Sequence, residues 1–293
     1  MTKSTFNKSG IVIDFGATKI SGSRILRGKF VKTKKYPSIF YSNSSNYVKD
    51  IENVIHDLNP SKKNKIGIAI TGRVDSAGNW YAVNNKNLGT FKIPLKKIIQ
   101  KKFNLETIIM NDATAACLGE TKFGAGKNCK RVGYITVSTG IGVGVTLDSK
   151  PFLSTNGLAS HLGFTTSRLG KNKCGSGRIG TYESIASGKA IELKASKQGY
   201  KNLTAKDIYT LHLQNKKWAK EIILLSAESI AELCANIKSI FDTDIIVIGG
   251  SIGMAKGYIQ LVKKYLSNEP KLFQSKIYRS SLGVNAAKMG ILL

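Results

Sequence analysis

The sequence is short of acidic side chains. Across 293 residues, 18 Asp and Glu stand against 45 Lys and Arg, a formal net charge of +27. Such an imbalance invites a nucleic-acid reading. However, the basic residues are spread over nearly every segment, and pairs such as Lys62-Lys63, Lys96-Lys97 and Lys216-Lys217 fall on expected helix faces or ends. There is no long basic arm, no basic stripe interleaved with aromatics, and no helix-turn-helix or finger pattern. The charge therefore reads as a solvated Lys-rich surface with no nucleic-acid partner, one that speeds the approach of anionic ligands such as a nucleotide. Long apolar runs are also lacking: none approaches the ~20 residues of a membrane helix. Met1 to Gly10 is polar, with no apolar signal core, so a cytoplasmic protein without a membrane partner is expected. The four cysteines, Cys117, Cys129, Cys174 and Cys234, are dispersed. They read as reduced thiols and exclude a disulfide framework.

What is present is a repeated design. In Ile11-Val-Ile-Asp-Phe-Gly-Ala-Thr-Lys-Ile-Ser-Gly22, three β-formers run into an Asp, then a Gly-containing turn, then a returning strand. Asp14 stands at the strand end, within reach of a hard cation or a phosphate-bound water. Gly16 lets backbone N–H groups approach an anion, and Thr18 adds a hydroxyl. By itself this stretch is equally an ordinary hairpin turn. Its weight comes from Tyr134-Ile-Thr-Val-Ser-Thr-Gly-Ile-Gly-Val-Gly-Val145, which repeats strand, hydroxyl-and-glycine turn and strand. Two such units predict a duplicated nucleotide-binding architecture in which the turns face each other across a cleft. The length suits two domains, and 42% apolar residues suffice for real cores.

Taken in order, strands are expected at Ile11–Phe15, Lys19–Leu26 and Phe30–Tyr36. A helix follows with Tyr47, Ile51, Val54, Ile55 and Leu58 on one face, stopped by Asn59-Pro60. A buried strand over Lys65–Thr71 delivers Gly72 to a loop, and Asn84 to Gly89 is a polar loop crowded with amides. Further elements are a helix over Ile93–Phe103, a strand over Thr107–Met110, and a helix from Ala113 to about Phe123 capped by Asn111 or Asp112. Asp112 is either that cap or a general base at the cleft edge. Beyond a linker at residues 124–131 and the hairpin of 132–147, Asn156 to Gly163 reads as a cleft loop and Cys174 to Thr181 as a Gly-rich loop. Helices are expected from near Tyr182-Glu183, over Lys189–Gln198, Ala205–Leu213 and Trp218–Phe241. A strand over Asp244–Ile248 then ends in Gly249-Gly250, where a base or ribose can lie against backbone. Helices from about Ile252 to Leu266 and over Val284–Leu292 close the chain.

Six stretches resemble the ROK sugar kinases in order and spacing: Asp14 to Lys19, Asn111 to Ala116, Thr136 to Gly142, Gly157 to Gly163, Glu183 to Gly188, and Ile248 to Ser251. Within that family, Ile70-Thr-Gly72, Asn87-Leu-Gly89, Tyr134 to Thr139 and Gly249 to Tyr258 are similar to the N-acetylmannosamine kinases. The resemblance implies an α/β, actin-like ATPase fold of two ribonuclease-H-like domains with the active site in the cleft between them. The division expected is residues 1–112 plus a C-terminal helix at about 283–293, against 113–282. It also implies ATP and Mg²⁺, a homodimer, and phosphorylation of the 6-hydroxyl of N-acetyl-D-mannosamine in amino-sugar (sialic acid) catabolism. Regulatory members carry an extra N-terminal helix-turn-helix, for which a first strand at Ile11 leaves no room. By the same resemblance Asp112 is the general base, and Gly72, Asn87, Asn111, Asp112, His161 and Glu183 hold the sugar. Asp14 positions Mg²⁺ through water. Gly16, Thr18, Lys19, Thr139 and Gly140 cradle the phosphates, and Gly250 lies near the adenosine.

Departures from the family pattern are Ala17 and Val143, where Gly is usual, and a missing zinc set. The family's zinc-binding His and three Cys correspond here to Phe164, Cys174, Ser176 and Thr181. One potential ligand in four is too few for a structural zinc, which is expected to be absent. The rival readings are another ROK hexose kinase such as a glucokinase, and a sugar-sensing binder without catalysis. His161 separates the first, since glucose-type members commonly place Glu there; its alternative reading is a loop histidine bonded to backbone. The presence of Asp112 argues against the second.

Overall fold

The computed structural model describes residues 6–38, 44–82 and 92–293. In the first half, β1 (Gly10–Phe15), β2 (Lys19–Leu26) and β3 (Lys29–Pro37) form an antiparallel meander. Helix α1 (Ser44–Asp57) crosses to β4 (Lys65–Ile70), parallel to β1. A small sheet of β5 (Arg73–Val74), β6 (Trp80–Tyr81) and β7 (Lys92–Ile93) follows, then α2 (Leu95–Phe103) and β8 (Thr107–Asn111), parallel to β4. Helix α3 (Asp112–Phe123) leads to the second half, which opens with the meander β9 (Val132–Val137), β10 (Ile141–Leu147) and β11 (Lys150–Pro151). Four helices come next: α4 (Glu183–Ala186), α5 (Gly188–Lys197), α6 (Ala205–Leu213) and α7 (Lys217–Phe241). The half closes with β12 (Ile245–Gly249), α8 (Tyr258–Leu266), β13 (Lys276–Arg279) and a terminal α9 (Ala286–Gly290). The sheet orders are β3-β2-β1-β4-β8 and β11-β10-β9-β12-β13. Each is a three-stranded meander extended by two parallel strands, so the duplication inferred from element order is present. This is the α/β arrangement of the actin-like ATPases.

The central strands are apolar on both faces because both faces are covered. Ile11, Ile13 and Phe15 of β1 join the core under α1 and α2, while Val12 points into a second core with α3 and α9. The predicted face of α1 is buried throughout, with Tyr47, Ile51, Val54 and Ile55, followed by Leu58, packed in the same core. Helix α3 is buried on nearly every side, which explains its lack of a one-faced pattern. It lies against α9 at a crossing that only small residues allow. A Cβ on Gly290 would sit 1.8 Å from the Ala115 carbonyl oxygen, and one on Gly119 would sit 2.3 Å from that of Ala286. The chain's last helix thereby closes on the first helix of the second half.

Several expectations need correction. The helix expected from Ile252 begins only at Tyr258. The N–H groups of Ile252 and Gly253 donate instead to the Val137 carbonyl, and Gly257 has φ +88°, so residues 251–257 dock as turns on the end of β9. The expected helix over Val284–Leu292 is a 3₁₀ turn (Gly283–Asn285) followed by the short α9. Strands β11 and β13 were not foreseen. Both are short edge strands, and β13 has a single buried residue, Ile277, so neither leaves a clear alternating pattern. Helix α2 starts at Leu95, not Ile93, because Lys92-Ile93 pairs as β7 and Pro94 precedes the first turn. Among the described residues no helix is long and apolar enough to cross a membrane.

Candidate active site

The C-terminal ends of β1 and β4 meet the turn of the second meander around a cavity of about 420 Å³. Five of the residues singled out from sequence line it: Gly16, Gly72, Thr139, Gly140 and Glu183. Asp14, Asn111, Asp112 and His161 stand beside it, Thr18 and Lys19 are exposed at the rim, and Gly250 lies outside the lining. Asn87 falls outside the described residues.

Asp14 sits near the end of β1, opposite Ser21 of β2 and Ala69 of β4. Its carboxyl is pushed up from 3.8 to about 6, first by burial and then by the negative charge of Asp112, with Lys288 and Lys19 pulling the other way. Lys288 comes from α9, is only 3% exposed, and donates to the hydroxyls of Ser21 and Ser23 at 3.1 Å each. In the turn itself the Gly16 N–H closes on the Lys19 carbonyl at 3.0 Å.

Asn111, rather than Asp112, caps α3. Its Oδ1 accepts from the N–H groups of Ala113 and Thr114 at 3.0 and 3.1 Å, and its Nδ2 donates to the Gly72 carbonyl at 2.9 Å. The amide thus welds the β4 loop to the helix start. Asp112, in the first turn, accepts on Oδ1 from Ala113 N–H at 2.8 Å and lies just outside the cavity lining. Burial raises its carboxyl, while that N–H and the nearby His161 oppose the rise. Gly72 has φ +104°, a conformation suited to glycine, and a Cβ there would meet the Tyr81 carbonyl at 2.7 Å.

The second wall is built differently. The turn after β9 closes with Ser138 N–H on the Gly140 carbonyl at 3.0 Å, and a Cβ on Gly140 would reach Glu183 Oε2 at 2.8 Å. Glu183 opens α4, accepts from Ile141 N–H at 3.2 Å, and is raised by burial. The first N–H groups of α5, at Gly188 and Lys189, donate to the carbonyls of Ser138 and Thr139, so this helix start clamps the turn. Gly250, at φ +84°, packs against Val137.

His161 enters on the loop after residues 154–157, which reach the first half through Ser76 N–H to the Thr155 carbonyl (3.0 Å) and the Arg73 guanidinium to the Asn156 carbonyl (2.5 Å). Its ring stacks on Phe164, and Nδ1 lies 3.4 Å from the Ala159 carbonyl while Nε2 is buried with no partner. The four former zinc positions are otherwise engaged: Phe164 against His161, Cys174 Sγ with Ser176 Oγ at 2.9 Å, and Thr181 Oγ1 with Ser184 N–H at 3.2 Å.

Sequence reasoning missed the aromatic side of the cavity, Phe15, Tyr47 and Trp80. Each reads as ordinary core in sequence. Only the Trp80-Tyr81 pair beside a turn hints at a strand rim.

The arrangement offers an acceptor carboxylate at a helix start, a second carboxylate at a strand end of the same sheet, and two glycine turns across one cleft. That suits in-line transfer of a phosphoryl group to a hydroxyl. The chain is 33% identical over 284 residues, 97% of each chain, to the N-acetylmannosamine kinase of Escherichia coli (strain 55989 / EAEC). It is 32% identical over 281 residues to that of Pasteurella multocida (strain Pm70), covering 96% of this chain and 94% of the other. A ROK family glucokinase from Streptomyces griseus, solved with glucose and AMPPNP, superposes with a TM-score of 0.82 at 23% identity, over 97% of this chain and 98% of that one. The family model described as ROK family matches residues 10–293, and with the site and fold above this chain belongs to the ROK family.

Proposed function

We propose that this protein is an ATP-dependent kinase that phosphorylates the 6-hydroxyl of N-acetyl-D-mannosamine, within amino-sugar (sialic acid) catabolism. The observation that carries the reading is Asp112 at the start of α3, its carboxyl raised by burial, next to Asn111, which takes the capping and bonds the cavity-lining Gly72. Full-length similarity to N-acetylmannosamine kinases supports the sugar.

In this reading Asp112 takes the proton from the 6-hydroxyl as its oxygen attacks the γ-phosphorus of ATP. Burial raises its carboxyl above the ordinary aspartate value, which makes it the stronger base. Asn111 holds the loop carbonyl of Gly72 in place beside the sugar, with Asn87, His161 and Glu183 as the other sugar contacts. The turns at Gly16, Thr18 and Lys19 and at Thr139 and Gly140 hold the phosphates, and Gly250 lies under the adenosine. Asp14 fits a hard cation: it is an oxygen donor beside a second carboxylate, with two lysines only partly offsetting the pair. Mg²⁺ held there with the triphosphate supplies charge neutralisation to the phosphoryl oxygens. The two halves, 1–112 with 283–293 and 113–282, close on the sugar and exclude water as a competing acceptor. The protein acts as a homodimer in the cytoplasm and carries no structural zinc. Metal analysis of dialysed protein should find well under one equivalent, and a stoichiometric zinc retained through dialysis refutes that part.

The second reading, a glucokinase, has the fold of the Streptomyces relative in its favour. His161 at the position where glucose-type members place Glu weighs against it. A coupled ADP-release assay across N-acetylmannosamine, N-acetylglucosamine, glucose and mannose separates them. Highest kcat/KM on a sugar other than N-acetylmannosamine overturns the reading, and no ADP release with any sugar favours a binder.

A further inference from the structure

Two of the proposed sugar contacts, His161 and Glu183, flank one irregular loop. Between Thr165 and Tyr182 the chain forms no helix or strand, only the isolated bridges Thr166–Thr181 and Lys173–Ile179. The loop nevertheless lines the cavity through Lys173, Cys174 and Gly175, and a Cβ on Gly175 would stand 3.7 Å from Glu183 Oε1. A loop with so little regular structure of its own keeps one position only if something outside it supplies the hold.

That hold comes from α7. Glu232 Oε2 accepts from Ser167 Oγ at 2.6 Å, and Oε1 accepts from the Arg168 N–H at 3.0 Å. One helical turn on, Asn236 Nδ2 donates to the Tyr182 hydroxyl at 2.6 Å. Residues four apart share a helix face, so a single face of α7 holds both the start and the end of the loop. The two ends are also joined to each other, the Tyr182 N–H donating to the Thr165 carbonyl at 3.2 Å. Ser167 is 4% exposed and Tyr182 is fully buried, so a lost partner at either end leaves a buried polar group. Burial and then the charge of Glu232 raise the Tyr182 phenol, whose own hydrogen is left for that carboxylate. Hydrogen bonds to an ionised carboxylate are about twice as strong as neutral ones. Neither Glu232 nor Asn236 lines the cavity, and neither has a part in the phosphoryl transfer.

We infer that Glu232 and Asn236 are positioning residues for the sugar: through Ser167, Arg168 and Tyr182 they hold the loop in place, so that His161 and Glu183 meet the substrate, and they leave the nucleotide side untouched. This inference rests on the kinase reading above and adds the part of the second half that fixes the sugar wall. A contact group displaced by about 1 Å can cost as much as 10²-fold. Loss of the carboxylate anchor alone, with the other ties intact, should cost about tenfold in sugar affinity.

The test combines steady-state kinetics with sugar calorimetry on the full chain, using the sugar that the wild type turns over with the highest kcat/KM. Glu232→Ala should raise KM and Kd for the sugar about tenfold, with KM for ATP within about twofold and kcat at saturating sugar within about threefold of wild type. Glu232→Gln keeps one acceptor for two donors and should raise the sugar constants about threefold, as should Asn236→Ala. These two variants carry the test if Glu232→Ala does not fold. Glu120→Gln is the reference for lost stability alone: it weakens the bonds that Ser280 Oγ and Leu282 N–H make to α3, and should lower Tm without moving the sugar constants. Sugar and ATP constants that rise together, or sugar constants that rise no more than in Glu120→Gln, overturn the inference. Sugar phosphorylation by the wild type then leaves the proposed kinase standing. A wild type that neither binds nor turns over any sugar overturns both.

Discussion

In the first half, β1 runs parallel to β4 with Gly10 opposite Lys65. In the second, β9 runs parallel to β12 with Val132 opposite Ile245. Following both ladders to the cleft sets Asp14 against Thr136, and carrying the registers of β8 and β13 onward sets Asp112 against Leu282. The same topology has therefore placed two carboxylates on one wall and none at the matching points of the other. The first turn is exposed at Ala17, Thr18 and Lys19, whereas the second is clamped by Glu183 and by the start of α5. Duplication supplied two backbone turns that can face one phosphate chain. In the proposed reading, side-chain divergence gives proton and cation chemistry to the first half, while the second adds a braced turn and two of the sugar contacts, His161 and Glu183.

The sharpest way to break this division is at Asp112. Asp112→Asn keeps shape and polarity but removes the base, and should lower kcat by roughly 10²–10⁴-fold while sugar affinity stays within about tenfold. A variant retaining more than about a tenth of wild-type kcat removes Asp112 from its role and, with it, the asymmetry of the two walls.

Within the second half, a carboxylate with no proposed chemical duty ties α3 to the connection after β13. Glu120 of α3 is fully buried and reaches the connection after β13. It accepts from Ser280 Oγ at 2.6 Å, Leu282 N–H at 2.9 Å and Ser281 Oγ at 3.1 Å, and also from Ala125 N–H at 2.8 Å. Glu120→Ala leaves these donors buried and unpaired, a cost of about 3 kcal/mol. Thermal unfolding should move down by roughly 6–12 °C, with a smaller fall for Glu120→Gln. An unchanged melting temperature would mean that water replaces the carboxylate and that the tie is dispensable.

His161 tests the recognition side. His161→Glu should lower kcat/KM for N-acetylmannosamine more than for glucose, by up to about two decades, because the pattern of donors and acceptors around one hydroxyl changes. Side-by-side kinetics on the two sugars decide it. Equal losses, or none, make His161 a structural loop residue.

Much of this was legible in the sequence, and the failures have physical causes. The central strands, α1 and α7 were readable because dense, buried periodic patterns leave few alternatives, and α3 was readable from its Asn111-Asp112 cap. Strands β11 and β13 were not, since short edge strands bury too few side chains to show a period of two. The segment from Ile252 to Gly257 carries two glycines that disfavour a helix, and the N–H groups of Ile252 and Gly253 find Val137, a partner that exists only once β9 and β12 are paired. At the site, Asp14, Gly72, Asn111 and Asp112 were legible as motifs at strand ends. The division of labour between Asn111 and Asp112 was not, because either residue type caps a helix. Trp80 and Tyr47 were invisible as site residues, as a buried aromatic looks the same in sequence whether or not one edge faces a cavity.

The smallest effect expected is the most specific to the charged wall. The Asp14 carboxyl is held near 6 in the folded protein, above its ordinary 3.8. The folded state thus binds this proton more tightly than the unfolded chain does. The stability it contributes is complete below about pH 4 and is lost as pH rises through 6. Asp14→Asn cannot ionise, so it should match the wild type near pH 4 and be the more stable protein at pH 8. A shift of about two units corresponds to roughly 3 kcal/mol, which partial exposure of the side chain to solvent reduces to about 1–2 kcal/mol. Melting of the ligand-free protein should accordingly rise by about 2–8 °C at pH 8 and by nothing at pH 4. Thr136→Val, at the matching point of the other half, removes a group that does not titrate, and any change it makes should be the same at both pH values. A pH-independent offset for Asp14→Asn as well would mean that the carboxylate is fully compensated by Lys288 and Lys19, and that the two walls differ less in charge than their residues suggest.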